Sequence, residues 1–115
     1  MRLLPGTLLA LTLGLSCAAA QDTRSTAGML SHCMAGLAAD SQDPLGGRCQ
    51  GILATLSFVS RVLLDNLKFC HPNNATPQQM MQVITSFVEA NPDAGVQDFR
   101  LVALAAMRDK WPCQE

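Results

Sequence analysis

The sequence predicts an all-α protein, a small up-and-down bundle of about four helices stapled by two disulfides. Apolar residues recur at helical spacing in four segments, and no segment alternates apolar and polar residues as a strand does. Turn-forming Pro, Gly, Asn and Asp residues separate these segments. Four cysteines follow a predicted secretory leader, and an even number in a short exported chain is typical of disulfide bonding.

The leader occupies residues 1–20 and has the three parts of a signal peptide. Arg2 supplies positive charge, an apolar run follows, and three alanines ending at Ala20 form a cleavage site before Gln21. The apolar run is shorter than the roughly 20 residues that span a membrane. The sequence therefore predicts export, to the periplasm in a bacterium, with residues 21–115 as one soluble domain that does not insert into the membrane.

The composition limits the function of this domain. Without the leader, seven basic residues face nine acidic ones, a formal net charge of about −2. No basic stripe with interleaved aromatic residues is present, which argues against nucleic-acid binding. Cys17 leaves lipidation open as an alternative, although Gly14 stands where a lipidation box normally has leucine.

The first two predicted helices fill the N-terminal half of the domain. The first begins with Ser25 or Thr26 as N-cap and runs to Asp40, where the polar sequence SQDPLGG is interpreted as a flexible loop. The second runs from about Arg48 to Phe69 with one apolar stripe. Its length predicts that it is the central helix.

The third and fourth predicted helices fill the C-terminal half. The third has Thr76 as N-cap, Pro77 at the first helical position and Gln79 as capping-box partner, and it ends before Asn91. The fourth covers about residues 96–110. Their predicted core faces consist of Met80, Ile84, Phe87, Val88, Phe99, Val102, Ala103, Ala106 and Met107.

The fourth helix also has apolar residues outside its core face, namely Leu101, Leu104 and Ala105. A helix that is apolar around most of its circumference is either central or covered by a partner. The sequence therefore predicts a homodimer that buries part of this helix.

The order of the helices favours one pairing of the cysteines. In an up-and-down bundle, Cys33 and Cys49 lie at the same end of the first helix pair. Cys70 ends the second helix at the opposite pole, to which the fourth helix returns with Cys113. Cys33–Cys49 and Cys70–Cys113 are favoured, and the other two connectivities stay open.

The two histidines adjoin cysteines, as His32-Cys33 and Cys70-His71. The count suits a Cys2His2 zinc site, but the chain lacks the close Cys-Cys and His-His spacings that present two ligands from one turn. A catalytic Cys-His pair needs a free thiolate, which paired cysteines do not provide. The favoured interpretation is two solvent-facing histidines at helix ends, with no metal, no cofactor and no enzyme activity.

Several short motifs occur in a characteristic order. They are LSHC at 30–33, CQGIL at 49–53, FCHP at 69–72 with the T-x-x-Q capping box at 76–79, FVEANP at 87–92 and LVALAAMRDKWPC at 101–113. In these motifs the chain resembles the Rap/Tai immunity proteins of type VI secretion systems, over nearly all of residues 21–115.

The resemblance implies a small, helical, disulfide-linked periplasmic protein, often dimeric, that binds and inhibits a toxin injected by neighbouring bacteria. It implies that the toxin is a peptidoglycan amidase and that the inhibitor occludes its active-site cleft. An inhibitor of this kind needs a rigid surface that buries roughly 1,600 Å² in total with its partner.

The segment NPDAGVQD, residues 91–98, is the best candidate for entering such a cleft. Pro92 fixes φ, Gly95 is expected to permit a turn that other residues resist, and Asp93 and Asp98 give a negative tip. An ordinary turn between helices is the alternative interpretation. The predicted partner-binding residues are Asn91, Asp93, Gly95, Val96 and Asp98.

A small periplasmic helical chaperone or stress protein is the alternative function. Such a protein would expose apolar surface in acid, and this mechanism uses many titrating carboxylates in the core or at a dimer interface. The fourth helix contains only Asp98 and Asp109, which gives the alternative little support.

Overall fold

The computed structural model describes residues 23–38 and 40–114, so the predicted signal peptide and Cys17 lie outside the described residues. The described residues confirm the all-α fold and contain no strand. No helix among them is long and apolar enough to cross a bilayer. The elements are α1 (Thr26–Gly36), α2 (Pro44–Val59), α3 (Pro77–Ala90), a 3₁₀ helix (Pro92–Val96) and α4 (Phe99–Lys110).

Helix α3 begins as the sequence predicts. The Thr76 hydroxyl accepts the backbone N–H of Gln79 at 3.2 Å, and the Gln79 side chain accepts the backbone N–H of Thr76 at 2.9 Å. Pro77 occupies the first helical position, where a backbone N–H would have no acceptor within the helix, so the lack of an N–H in proline costs no hydrogen bond. These interactions are local, which is why the residues alone locate the helix start.

Helix α2 differs from its prediction at both ends. It begins at Pro44 because the carboxylate of Asp43 accepts the Leu45 N–H at 3.0 Å and caps the helix. It ends at Val59, where the chain enters a series of turns. A helix from Pro44 to Phe69 would be about 39 Å long and would carry the buried Phe69 side chain beyond the 14-residue α3. The turns instead return Phe69 to the core.

Helices α1 and α4 are shorter than predicted. Helix α1 ends at Gly36 rather than Asp40, at the point where its backbone approaches that of α2. Helix α4 begins at Phe99 rather than Val96 because Asp98 is its N-cap and accepts the Arg100 N–H at 2.9 Å.

The core lies between all four helices. Helix α4 buries the five residues predicted for its core face, whereas Phe87 and Val88 of α3 are only half-buried and Met81 is buried instead. The main cluster contains Met29, Cys33, Cys49, Leu53, Phe69, Met80, Met81, Ile84, Phe99, Ala103, Ala106 and Met107.

The two disulfides have the predicted pairing. Cys33–Cys49 joins α1 to α2 inside the core. Cys70–Cys113 ties the segment before α3 to the end of the chain, and the Cys70 N–H donates to the Trp111 carbonyl at 2.8 Å beside it. The second disulfide therefore closes a loop that contains α3, the 3₁₀ helix and α4.

Candidate partner-binding site

The segment at residues 91–98 forms an ordered turn between α3 and α4. Asn91 ends α3: its backbone N–H and its side-chain amide each donate to the Phe87 carbonyl at 2.9 Å. Pro92 then starts the 3₁₀ helix, at a position that requires no N–H donor. Hydrogen bonds and a fixed proline φ therefore hold the start of the turn.

The end of the turn is attached to the beginning of α1. The carbonyl of Gln97 accepts the backbone N–H of Thr26 at 2.9 Å and its hydroxyl at 3.1 Å. The backbone N–H of Phe99 donates to the Arg24 carbonyl at 2.8 Å. Ala94 is buried and anchors the middle of the 3₁₀ helix. Contacts to a second segment of the chain thus make the turn rigid.

The predicted contact residues occupy different environments in this turn. Asp93 is exposed, and Val96 is 84% exposed. Gly95 is half-buried and does not have the role predicted for it, because no described glycine has a positive φ. A 3₁₀ helix uses backbone angles that residues with a side chain adopt readily, so this turn does not require a glycine.

Asp98 belongs to the framework of the turn. Its carboxylate accepts hydrogen bonds from Arg100 Nε at 2.9 Å and Nη2 at 2.7 Å, in addition to the Arg100 backbone N–H. The hydrogen bonds from the Arg100 side chain and backbone lower the pKa of Asp98 from 3.8 to about 2. Because Arg100 neutralises Asp98, Asp93 supplies the unneutralised charge of the turn.

We expect Asp98→Ala to lower the free energy of unfolding by about 1 to 2 kcal/mol at pH 7, the usual loss for an N-cap. The pKa is lower in the folded state, so the carboxylate stabilises the fold above pH 4 and loses this effect as the pH falls towards 2. Urea denaturation at pH 7 and pH 2.5 measures the difference between wild type and variant. A difference that does not shrink in acid contradicts this account.

A groove of about 550 Å³ lies between α3 and α4 beside the turn. A second hollow of about 370 Å³ continues from it and shares Phe87, Ala90 and Asn91. Asp93 lines the second hollow, whereas Gly95, Val96 and Asp98 line neither. The turn and the groove together form one continuous candidate surface, which we call the α3–α4 surface.

The sequence did not reveal this groove. Phe87 has the helical spacing of a core residue and was predicted to be one, yet it is half-buried and lines the groove. The small side chains of Ala90 and Ala106 line it from the two helices. The only sign of the groove in the sequence was the presence of small residues on both helices. Small residues indicate close helix packing as often as an open groove.

The corner at residues 69–72 is a structural connection. His71 Nε2 lies 2.9 Å from the Ser57 hydroxyl, and His32 Nδ1 lies 2.7 Å from an Asp43 carboxylate oxygen. Both histidines are half-buried and face solvent only in part. Neither is at a helix end as predicted, since His32 lies within α1 and His71 lies between α2 and α3. The described residues contain no group of three or more His, Cys, Asp and Glu side chains that could hold a metal ion.

The comparisons with known proteins give one match. The family model described as "Rap1a immunity proteins" matches residues 14–113. No curated protein and no solved structure matches the chain significantly.

Proposed function

Because the chain belongs to the Rap1a immunity protein family, we propose that it protects its producer from a type VI secretion effector. The proposed effector is a peptidoglycan amidase, which the protein binds in the periplasm and inhibits by occluding the active site. Membership of the family supports an immunity protein for a secreted effector. The identity of the target and the mode of inhibition are parts of the proposal.

The rigidity of the 91–98 turn is the observation that supports the proposed mode of inhibition. The turn is hydrogen-bonded at both ends and anchored by buried Ala94, while Asp93 and Val96 are exposed. A segment that is already ordered loses little conformational entropy when it enters a cleft. The adjoining groove adds contact area around the turn.

The proposed location agrees with the chemistry of the chain. The predicted leader directs export, and disulfides persist in oxidising compartments such as the periplasm. Cys33–Cys49 joins two helices inside the core, and Cys70–Cys113 ties the segment before α3 to the end of the chain. A peptidoglycan amidase acts in the same compartment, so inhibitor and proposed target meet there.

We expect Asp93→Arg to weaken inhibition of the amidase effector by more than about tenfold, the scale of loss at a central interface residue. Val96→Glu should act in the same direction because it places a charge on an exposed apolar side chain. Neither change should lower the melting temperature by more than one or two degrees, since exposed turn residues contribute few core contacts. Peptidoglycan cleavage and thermal melting measure the two effects.

Asp40→Arg is the matched control, because Asp40 is an exposed acidic residue outside the α3–α4 surface. It should inhibit like the wild type. Full inhibition by Asp93→Arg and Val96→Glu would refute the contact surface. A wild type that binds no amidase effector but keeps other proteins soluble in acid would support the chaperone alternative instead.

We also propose a homodimer through the exposed side of α4. Leu101 is 66% exposed, but Leu104 packs against the core and Ala105 is half-buried, so the available apolar face is narrower than the sequence predicted. Leu101→Lys should convert the dimer to monomer because it places a charge in the apolar contact. Sedimentation equilibrium at tens of micromolar measures this, and a wild type that is monomeric there refutes the dimer.

A further inference from the structure

Three large apolar side chains at and after the end of α2 lie almost entirely in solvent. Phe58 is 87% exposed, Val62 80% and Leu64 71%; we call them the α2-end trio. Side chains that pack on one another lose much of their exposed area, so members of the trio do not cover each other. They are three separate apolar projections from one short segment of the surface.

Basic side chains lie within this segment and in the cleft that begins at the next residue, Asp65. Arg61 lies within it, and its Nη2 donates to Asn73 Oδ1 at 2.9 Å. Lys68 and Arg108 line an adjacent cleft together with Asp65, which pairs with Lys68 at 2.7 Å. Among the described residues of this segment and this cleft, three basic side chains accompany one acidic side chain, that of Asp65.

We propose that this end of the molecule docks on an anionic lipid surface. The α2-end trio enters the boundary between headgroups and acyl chains, and Arg61, Lys68 and Arg108 face the lipid phosphates. Peripheral lipid-binding segments combine apolar residues such as Phe and Leu with Lys and Arg in this way. The chain lies on the membrane and does not cross it, in agreement with the described helices.

The separation of the projections distinguishes a lipid surface from a protein partner. The boundary region of a bilayer is fluid and accepts each apolar side chain wherever it enters. A protein partner would need a complementary pocket for each of three projections, because protein interfaces are packed as densely as protein interiors. The observed exposure of the trio therefore fits lipid better than a second protein surface.

Lipid docking would leave the α3–α4 turn free. Ser57, next to the trio, contacts His71 shortly before α3, whereas the 91–98 turn follows the other end of this 14-residue helix. A helix of that length spans about 21 Å. The inference thus concerns a surface away from the 91–98 turn and does not depend on the proposed immunity function.

The test is co-sedimentation of the protein with vesicles of phosphatidylglycerol and phosphatidylcholine, and with vesicles of phosphatidylcholine alone. The protein is purified from the periplasm and its N terminus is read by mass spectrometry, because a retained apolar leader would itself bind vesicles. We expect binding to the anionic vesicles that weakens with salt. The triple variant Phe58→Ser, Val62→Ser, Leu64→Ser should bind more than about tenfold more weakly with an unchanged melting temperature.

Two single changes distinguish binding through the α2-end trio from binding through any exposed apolar side chain. Phe58→Ser should weaken binding, whereas Met34→Ser, at an exposed apolar residue of α1, should not. Arg108→Glu should weaken binding to the anionic vesicles. The proposal is overturned if the wild type does not sediment with anionic vesicles, if it binds neutral vesicles equally well, or if the triple variant binds like the wild type.

Discussion

Gly36→Ala is expected to lower the free energy of unfolding by about 3 kcal/mol, at the upper end of the range for overpacking. A Cβ atom on Gly36 would lie 2.5 Å from the Cα of Gly46 and 2.8 Å from its carbonyl carbon and oxygen. The atoms in the way belong to the backbone, so no side chain can rotate to make room. Helices α1 and α2 would have to separate.

The neighbouring disulfide limits that separation. Cys33 lies one helical turn before Gly36, and its bond to Cys49 holds the two helices together inside the core. Gly46→Ala should be destabilising for the same reason, since its Cβ would lie 2.6 Å from the Cα of Gly36 and 3.0 Å from the His32 carbonyl oxygen. The disulfide makes the strain harder to relieve.

Two other glycines of α2 are matched controls. A Cβ on Gly47 or Gly51 would meet no atom within 4 Å. Replacing either by alanine should stabilise the protein by about 0.5 to 1 kcal/mol, because alanine loses less backbone entropy on folding than glycine does. Urea denaturation of the four variants measures the contrast. Equal stabilities for Gly36→Ala and Gly51→Ala would contradict the close approach of the helices.

The same glycines illustrate what the sequence could not predict. The pair at residues 46–47 was interpreted as part of a flexible loop, whereas it lies in the first turns of α2. The contact between Gly36 and Gly46 joins two helices, and no periodic pattern within either helix marks it. The start of α3 was predictable because Thr76 and Gln79 complete their capping box within four residues.

The end of α2 was unpredictable for a related reason. Apolar residues continue at helical spacing beyond Val59, so local pattern favours a longer helix. The turns that follow are set by the position of Phe69 in the core and of Cys70 beside the end of the chain. Tertiary contacts of this kind override local periodicity.

The candidate site was only partly predictable. Asn91 and Pro92 located the turn correctly, since both residue types interrupt helices. The roles of Gly95 and Asp98 depend on backbone angles and on a hydrogen-bonding partner, Arg100, that the turn residues do not reveal. The exposure of Phe58 could not be deduced either, because its segment is apolar at many successive positions.

Removal of the Cys70–Cys113 disulfide, by Cys70→Ala with Cys113→Ala, is expected to cost about 4 kcal/mol of stability. Its cysteines are 43 residues apart, and in the chain-entropy model a bond across such a loop constrains the unfolded chain by about this amount. The total free energy of unfolding of such a domain is roughly 5 to 15 kcal/mol. The loss should lower the urea concentration at the midpoint of unfolding by a large fraction of its wild-type value.

The Cys33–Cys49 bond provides the comparison. Its cysteines are 16 residues apart, for which the same model gives about 3 kcal/mol, but both side chains are buried and alanine would also leave a cavity. Cys70 is exposed and Cys113 half-buried, so their replacement tests loop entropy with little loss of packing. An unchanged urea midpoint for the Cys70 and Cys113 variant would refute this account.

Loss of the Cys70–Cys113 bond should reduce the folded fraction without changing the partner surface of the molecules that stay folded. The 91–98 turn lies within the closed loop, yet Thr26 and Arg24 hold it through hydrogen bonds that do not involve the disulfide. At low temperature, where the double variant is folded, its affinity for the effector should therefore match the wild type. Titration calorimetry below the unfolding transition measures this, and weaker binding there would mean that the disulfide also positions the contact surface.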